Sequence, residues 1–182
     1  MPPAAWGRLI RIIDGTTVPK AGEAAKTGNR LWRVHAAFDL PTERFGHVEL
    51  TDEKGGETLD RIQALRGEIR IADRAFLQPD RMAAVLDACA DFVVRAGGKN
   101  VRWLDASGNP VDLMGMFGKA AGKGVIDWPI RIARKSGAPL DSRLVAVKKP
   151  PQAAEISRRM ARREAQKGQH QISKAQWPPP IG

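Results

Sequence analysis

Two carboxylates carry the chemistry this sequence could do. Asp14 closes the run Arg8-Leu9-Ile10-Arg11-Ile12-Ile13, and Asp73 closes Glu68-Ile69-Arg70-Ile71-Ala72. Both runs are short, apolar and β-branched, as buried strands are, and both stop at a residue suited to a turn. On neighbouring parallel strands, about 4.8 Å apart, the two side chains would share one sheet edge and could converge on a divalent cation. Hard cations such as Mg²⁺ take carboxylate oxygen. Two such ions about 3.5–4 Å apart can activate a hydroxyl and stabilise a leaving oxygen in phosphoryl transfer. A third carboxylate is normally needed to hold the second ion. Each aspartate also has a purely local explanation. Asp14-Gly15 suits a turn, and Asp73-Arg74 suits a helix cap with a local ion pair. The residues alone leave that choice open.

Positioning the pair requires a sheet. The first strand is expected to end at Asp14-Gly15, with a loop from Thr16 to Asn29. Leu31–Phe38 and Gly46–Leu50 read as the second and third strands of an antiparallel meander. Lys54–Leu65 reads as a helix, because Leu59, Ile62 and Leu65 recur at helical spacing. Strand, helix and strand in succession make the fourth strand, Glu68–Ala72, parallel to a neighbour. A helix over Pro79–Cys89, with proline in its first turn, leads to a fifth strand, Asp91–Arg95. Further on, short strands at Val101–Leu104, Ile130–Ala133 and Arg143–Val147 lie among turn-rich stretches. Pro150-Pro151 then opens a helix over Gln152–Gln166.

The chain has 182 residues and one cysteine, Cys89, so no internal disulfide framework or multi-cysteine zinc site is available. It has no apolar run of the roughly 18 residues a membrane span needs and no basic-then-apolar leader pattern. A cytoplasmic protein with no membrane partner is the expectation. The net charge is +10. Residues 131–182 hold 12 basic and 3 acidic side chains, whereas residues 1–130 hold 18 and 17. Such clustering suits a polyanion partner such as DNA. In the last helix Arg158 with Arg162 and Arg159 with Arg163 stand at i and i+4, a self-repelling stripe beside Ile156 and Met160. Phosphate contact would relieve it; a solvated face is the plainer alternative.

Ile13-Asp14-Gly15-Thr16-Thr17-Val18, then Trp32-Arg33-Val34-His35-Ala36-Ala37-Phe38-Asp39, then Ala72-Asp73-Arg74-Ala75-Phe76 resemble the DDE transposases of the insertion-sequence-four type. These are bacterial mobile-element enzymes with a ribonuclease H-like core. The resemblance runs from about Arg8 to Ser173. It implies an α/β fold: a ribonuclease H-like mixed sheet flanked by helices, with a small β-rich insertion. Asp14 and Asp73 would be the first two catalytic, metal-binding carboxylates, using Mg²⁺ or Mn²⁺ in two-metal phosphoryl transfer that nicks DNA and joins its 3′ end to a target. Arg74, Arg158, Arg159, Arg162 and Arg163 would meet DNA phosphates at transposon ends and target, in a possible homo-oligomer. The implied organisation is residues 1–96 as the first part of the core, 97–150 as the insertion, 151–173 as a basic helix returning to the core, and 174–182 as an irregular Pro-rich tail.

The sequence departs from that family at its final acid, which lies in a Tyr, Arg, Glu, Lys pattern. There is no tyrosine here. The only acids after residue 150 are Glu155 and Glu164, and neither has both basic partners at the family's offsets. The expectation is a truncated chain, cut by a frameshift near Lys174, that binds metal weakly and is inactive alone. Its sheet would lack cover on one face. A non-catalytic basic DNA-binding or regulatory protein of the same fold is the alternative, and an unrelated α/β binding module the third.

Other motifs carry less. Gly115 to Gly124 has the lysine but not the glycine and hydroxyl spacing of a phosphate loop and reads as a flexible connector. His35, His47 and His170 show no metal-ligand spacing, and His35 reads as a packed or solvent-facing strand residue. Cys89 reads as a core residue on a helix face. Trp32, Trp103 and Trp128 could stack on bases, although packing is the simpler role.

Overall fold

The computed structural model describes residues 7–21, 31–52, 54–97, 101–119 and 124–167. The chain divides into two units, 1–101 with 134–138 and 102–133 with 139–182. No helix among the described residues is long and apolar enough to cross a membrane.

The first unit is a five-stranded mixed sheet. Its strands are β1 (Ile10–Pro19), β2 (Leu31–Asp39), β3 (Arg44–Asp52), β4 (Ile69–Ala72) and β5 (Asp91–Val94), in the order β3-β2-β1-β4-β5. The meander β1-β2-β3 is antiparallel, and β4 and β5 run parallel to β1. Helix α1 (Pro79–Asp87) connects β4 to β5, with Pro79 at its start and Met82, Ala83 and Val85 buried. The mixed α/β sheet with a parallel fourth strand agrees with the expectation.

Strand β1 alternates faces. Arg11 and Ile13 are buried on one side, and Ile12 and Asp14 are exposed on the other. The second face carries large apolar side chains that are exposed, among them Phe45, Val48, Leu50 and Val93.

Four elements of the first unit differ from the sequence reading. Strand β1 does not stop at Asp14 but continues to Pro19, because β2 goes on pairing with it through Pro19↔Leu31. The loop expected over Thr16–Asn29 therefore begins as strand, and its residues 22–29 lie outside the described residues. Residues 54–65 form turns rather than a helix. Gly55 and Gly56 weaken helix formation there, and the carbonyls of Leu59 and Ile62 accept hydrogen bonds from Arg70 Nη1 instead. Leu59 is nevertheless fully buried, so the apolar periodicity marked a core contact, not a helix. Helix α1 ends at Asp87, two residues before Cys89, which is exposed with φ 56°. Cys89 is thus the left-handed residue that closes the helix, its N–H donating to Leu86 O at 2.8 Å.

The second unit is built on a three-stranded antiparallel sheet, β6 (Trp103–Leu104), β7 (Val125–Ile132) and β8 (Leu140–Val147). Its inner face buries Ile126, Ile130, Ile132, Leu140 and Leu144. Both long strands begin earlier than their sequence pattern suggested. Between β6 and β7, Leu113–Lys119 forms a helix, α2, where a flexible connector was expected. Asp112 Oδ1 accepts from the Met114 N–H at 3.0 Å, and Phe117 packs on Trp128 at 5.6 Å between ring centroids. Those two contacts settle the segment as helix despite its glycines. Helix α3 (Pro151–Lys167) follows β8.

Candidate active site

The parallel pairing of β1 with β4 positions the two aspartates. Ile12 stands opposite Ile71 and Ile13 opposite Ala72. The next residue on each strand is aspartate. Here β4 ends, and β1 continues only with β2, where Asp14 pairs with Ala36. The two aspartates therefore both follow the last register pair, at the C-terminal edge of the parallel strands, and both are exposed. In open α/β sheets that edge is where ligands bind.

Their local hydrogen bonds leave room for a ligand. Asp14 Oδ1 accepts from the Gly15 N–H at 2.8 Å. Asp73 caps a 3₁₀ turn, Arg74–Phe76, through Oδ1, which accepts from the Ala75 N–H at 2.7 Å. The cap foreseen for Asp73 is present, and it uses one oxygen. Oδ2 of each aspartate has no partner among the described residues. Arg74, next in sequence, is exposed at the same edge, with Gly97 beside its Cβ at the end of β5.

The donor set suits a hard divalent cation in kind: two adjacent carboxylates, each with an open oxygen. Among the described residues no third Asp, Glu, His or Cys joins them to form a cluster of three. The nearby Glu57 is engaged elsewhere. It pairs with Arg33 at 2.9 Å and lies over Gly15, where a Cβ would come within 2.7 Å of its Oε1. Gly15 and Glu57 thus meet on the opposite face of β1 from Asp14, where a glycine leaves room for the Glu57 carboxylate.

Sequence reasoning missed what lies beneath the pair. Arg11 and Arg70 are register partners, each three residues before an aspartate, and both are buried. Fully buried Glu68 lies between them. Its Oε1 accepts from Arg70 Nε at 2.9 Å, and its Oε2 accepts from Arg11 Nη1 at 3.3 Å and from the Leu65 N–H at 2.8 Å. Asp39 completes the group, Oδ1 accepting from Arg11 Nε at 2.5 Å. That bond, reinforced by the charge of Glu68 against the cost of burial, holds the Arg11 proton more firmly than usual. Charged residues inside otherwise apolar strand runs were the available signal.

The remaining candidates fall in several places. His35 is buried in mid-strand with Nε2 2.9 Å from Thr51 Oγ1. Burial, and next the charge of Arg61, push its pKa below the usual 6.5. Trp103 is buried, and Trp32 is exposed with Lys20 Nζ 4.0 Å from its ring centroid. In the second unit, α3 carries Arg159, Arg162 and Arg163 exposed. Arg158 is half-buried and meets Glu155 at 3.5 Å. Ile156 and Met160 are exposed beside them. His170 and the Pro-rich end lie outside the described residues.

The mixed five-stranded sheet flanked by helices is an α/β architecture, consistent with a ribonuclease H-like fold. Residues 5–174 match the family of transposase DDE domains, and the chain belongs to that family. It is 37% identical over 158 residues to InsL of insertion sequence element IS186A of Escherichia coli (strain K12), covering 84% of this chain and 41% of the relative. The transposase for insertion sequence element IS421 of Escherichia coli matches to the same extent. The chain thus spans about two-fifths of the length of these relatives. No solved structure matches it.

Proposed function

We propose that this chain supplies the first two carboxylates, Asp14 and Asp73, of an insertion-sequence transposase that cleaves DNA and transfers the strand. The observation that supports this reading is the register of β1 with β4, in which the last paired residues, Ile13 and Ala72, are each followed by aspartate. They would hold Mg²⁺ or Mn²⁺, which when bound supplies the Lewis acidity that phosphoryl transfer requires. Each aspartate would bind through the oxygen its backbone hydrogen bond leaves open. Arg74 at the same edge, and Arg158, Arg159, Arg162 and Arg163 of α3, would neutralise DNA phosphates at transposon ends and target. The natural setting is the bacterial cytoplasm, where the DNA lies, and assembly of copies would bring two DNA ends together. In organisation, residues 1–96 would serve as the first part of the core and 97–150 as an insertion, followed by the basic helix α3.

With no third ligand beside the pair among the described residues, this length of chain alone should bind metal weakly and cleave little or no DNA. That same observation favours a second reading, a non-catalytic DNA-binding or regulatory protein of this fold. Manganese titration separates the two. Under the first reading, Asp14→Asn and Asp73→Asn each raise the Mn²⁺ dissociation constant at least about tenfold, some 1.4 kcal/mol. Unchanged Mn²⁺ binding in both variants removes the metal site. Under the second, DNA affinity survives both exchanges and depends only on the α3 arginines.

A further inference from the structure

We infer that Gln78 is a positioning residue for Asp73: its side-chain amide holds the short turn that orients the Asp73 carboxylate. Gln78 stands at the N-terminal cap of α1, where a polar side chain usually accepts from the first free N–H groups of the helix. It makes no such bond. Its Nε2 turns back instead and donates to Ala75 O at 3.1 Å and to Glu57 O at 2.8 Å, which uses both N–H groups of the carboxamide. Ala75 is therefore held from two sides. Its N–H donates to Asp73 Oδ1 at 2.7 Å, and its carbonyl accepts from Gln78.

Little else holds the turn at this point. Strand β4 fixes the Asp73 backbone through its neighbour Ala72, but the direction of the carboxylate depends on the bond from Ala75. The bonds inside the turn, from the Phe76 N–H to Asp73 O and from the Leu77 N–H to Arg74 O, are both 3.2 Å, and a 3₁₀ turn has poorer hydrogen-bond geometry than an α-helix. Phe76 and Leu77 are buried and anchor its far end, whereas Arg74 and Ala75 are exposed. The other end of the tie is firm. Glu57 pairs with Arg33 of β2 at 2.9 Å, and Arg61 of the same segment pairs with Glu49 of β3 at 3.1 Å. Leu59, between them in the chain, is fully buried. Gln78 thus connects a segment fixed on the sheet to the residue whose N–H occupies Asp73 Oδ1. With that oxygen occupied, Asp73 presents Oδ2 to a ligand.

The consequence for metal binding rests on the role proposed above for Asp73; the ordering of the turn does not. The test uses the full chain with Gln78→Met, which keeps the length of the side chain and removes both donors. Hydrogen exchange at the Ala75 amide reports the turn, and Mn²⁺ titration reports the site. The expected result is a cooperative melt, with Ala75 exchange about fivefold faster and a Mn²⁺ dissociation constant raised about threefold or more, the scale of one or two lost hydrogen bonds. Gln78 acts through Asp73, so the same substitution made in Asp73→Ala should leave Ala75 exchange where Asp73→Ala already puts it. Ala75 exchange unchanged by Gln78→Met overturns the inference, whatever the metal affinity. A further acceleration in the Asp73→Ala chain overturns it too, because Gln78 would then be a general prop of the fold. So does an unchanged Mn²⁺ constant in Gln78→Met when Asp73→Ala loses Mn²⁺ affinity. If the unaltered chain binds no Mn²⁺, or Asp73→Ala binds it equally well, the metal reading fails, and Ala75 exchange alone decides the inference. If Gln78→Met does not fold, Gln78→Glu removes the same donors with the shape kept, and is read on the Ala75 amide alone: faster exchange supports the inference and unchanged exchange overturns it.

Discussion

Arginine does opposite work in the two units. In the five-stranded unit Arg11 and Arg70 are buried, and their charges are answered by Glu68 and Asp39. In the second unit Arg159, Arg162 and Arg163 stand exposed along α3. The buried guanidiniums have fixed carboxylate acceptors, Glu68 and Asp39. The exposed ones on α3 are the set proposed above to meet DNA phosphates. Stability should therefore depend on the first set and polyanion affinity on the second.

The largest effect should come from breaking the buried set unevenly. Arg70→Ala leaves Glu68 charged and fully buried without its closest partner. Removing one member of a buried pair costs about 3–5 kcal/mol, enough to unfold a marginal domain. Urea denaturation should show the midpoint collapse, and a loss below about 1 kcal/mol would refute the assignment. The contrasting variant changes Arg158, Arg159, Arg162 and Arg163 to Gln. Its urea midpoint should stay within about 0.5 kcal/mol of the parent, as for surface exchanges generally. Its DNA affinity should fall, and the slope of log affinity on log salt should flatten by about 0.9 for each phosphate the helix no longer neutralises. A salt slope unchanged in this variant would leave α3 a solvated face.

Gly15→Ala should have an intermediate effect. The new Cβ would lie 2.7 Å from Glu57 Oε1, so Glu57 must move and its pair with Arg33 must open. Overpacking of this kind costs about 1–3 kcal/mol. A second exchange, Glu57→Ala, should make room and recover part of the loss. If the double variant is simply additive, the two residues are not in contact.

The sheet was legible in the sequence because its strands are β-branched runs with clear ends, and the parallel fourth strand followed from the spacing between runs. Even so, the reason given for the crossover was wrong in form. Leu59, Ile62 and Leu65 have helical spacing, yet their backbone groups serve Arg70 and Glu68. Those partners lie outside the segment itself, where periodicity cannot register them. That Asp14 and Asp73 directly follow the last paired residues of the parallel strands was legible because it needs only strand ends and direction. The extension of β1 past Asp14 was not, since it depends on β2 continuing to pair through residues that look like a loop. Cys89 was misplaced by two residues of helix, enough to move it from the core to the surface.

His35 gives the pH-dependent member of the comparison. Its pKa in the fold lies below 6.5, chiefly through burial and then through Arg61. As pH falls below about 6.5 the unfolded chain takes up the proton first. Stability therefore drops with falling pH over the window between 6.5 and the lower folded value. His35→Gln should flatten that slope in urea titrations between pH 7 and pH 5. A slope that persists in the variant would assign it to another group.

The smallest effect should come from an ion pair that resembles Arg11–Asp39 on paper. Arg143 donates to both Asp127 oxygens across β7 and β8, and that bond holds the Asp127 carboxyl below its usual range against a smaller opposing effect of burial. The fork geometry is the same as that of Arg11 on Asp39. What differs is exposure: Arg143 and Asp127 face water, where screening and side-chain entropy cancel most of the attraction. Asp127→Asn should leave the urea midpoint unchanged at neutral pH and 0.15 M salt, whereas Asp39→Asn should lower it measurably. Equal losses from the two would mean that burial is not what separates the arginines of the two units, and the contrast between them would fail.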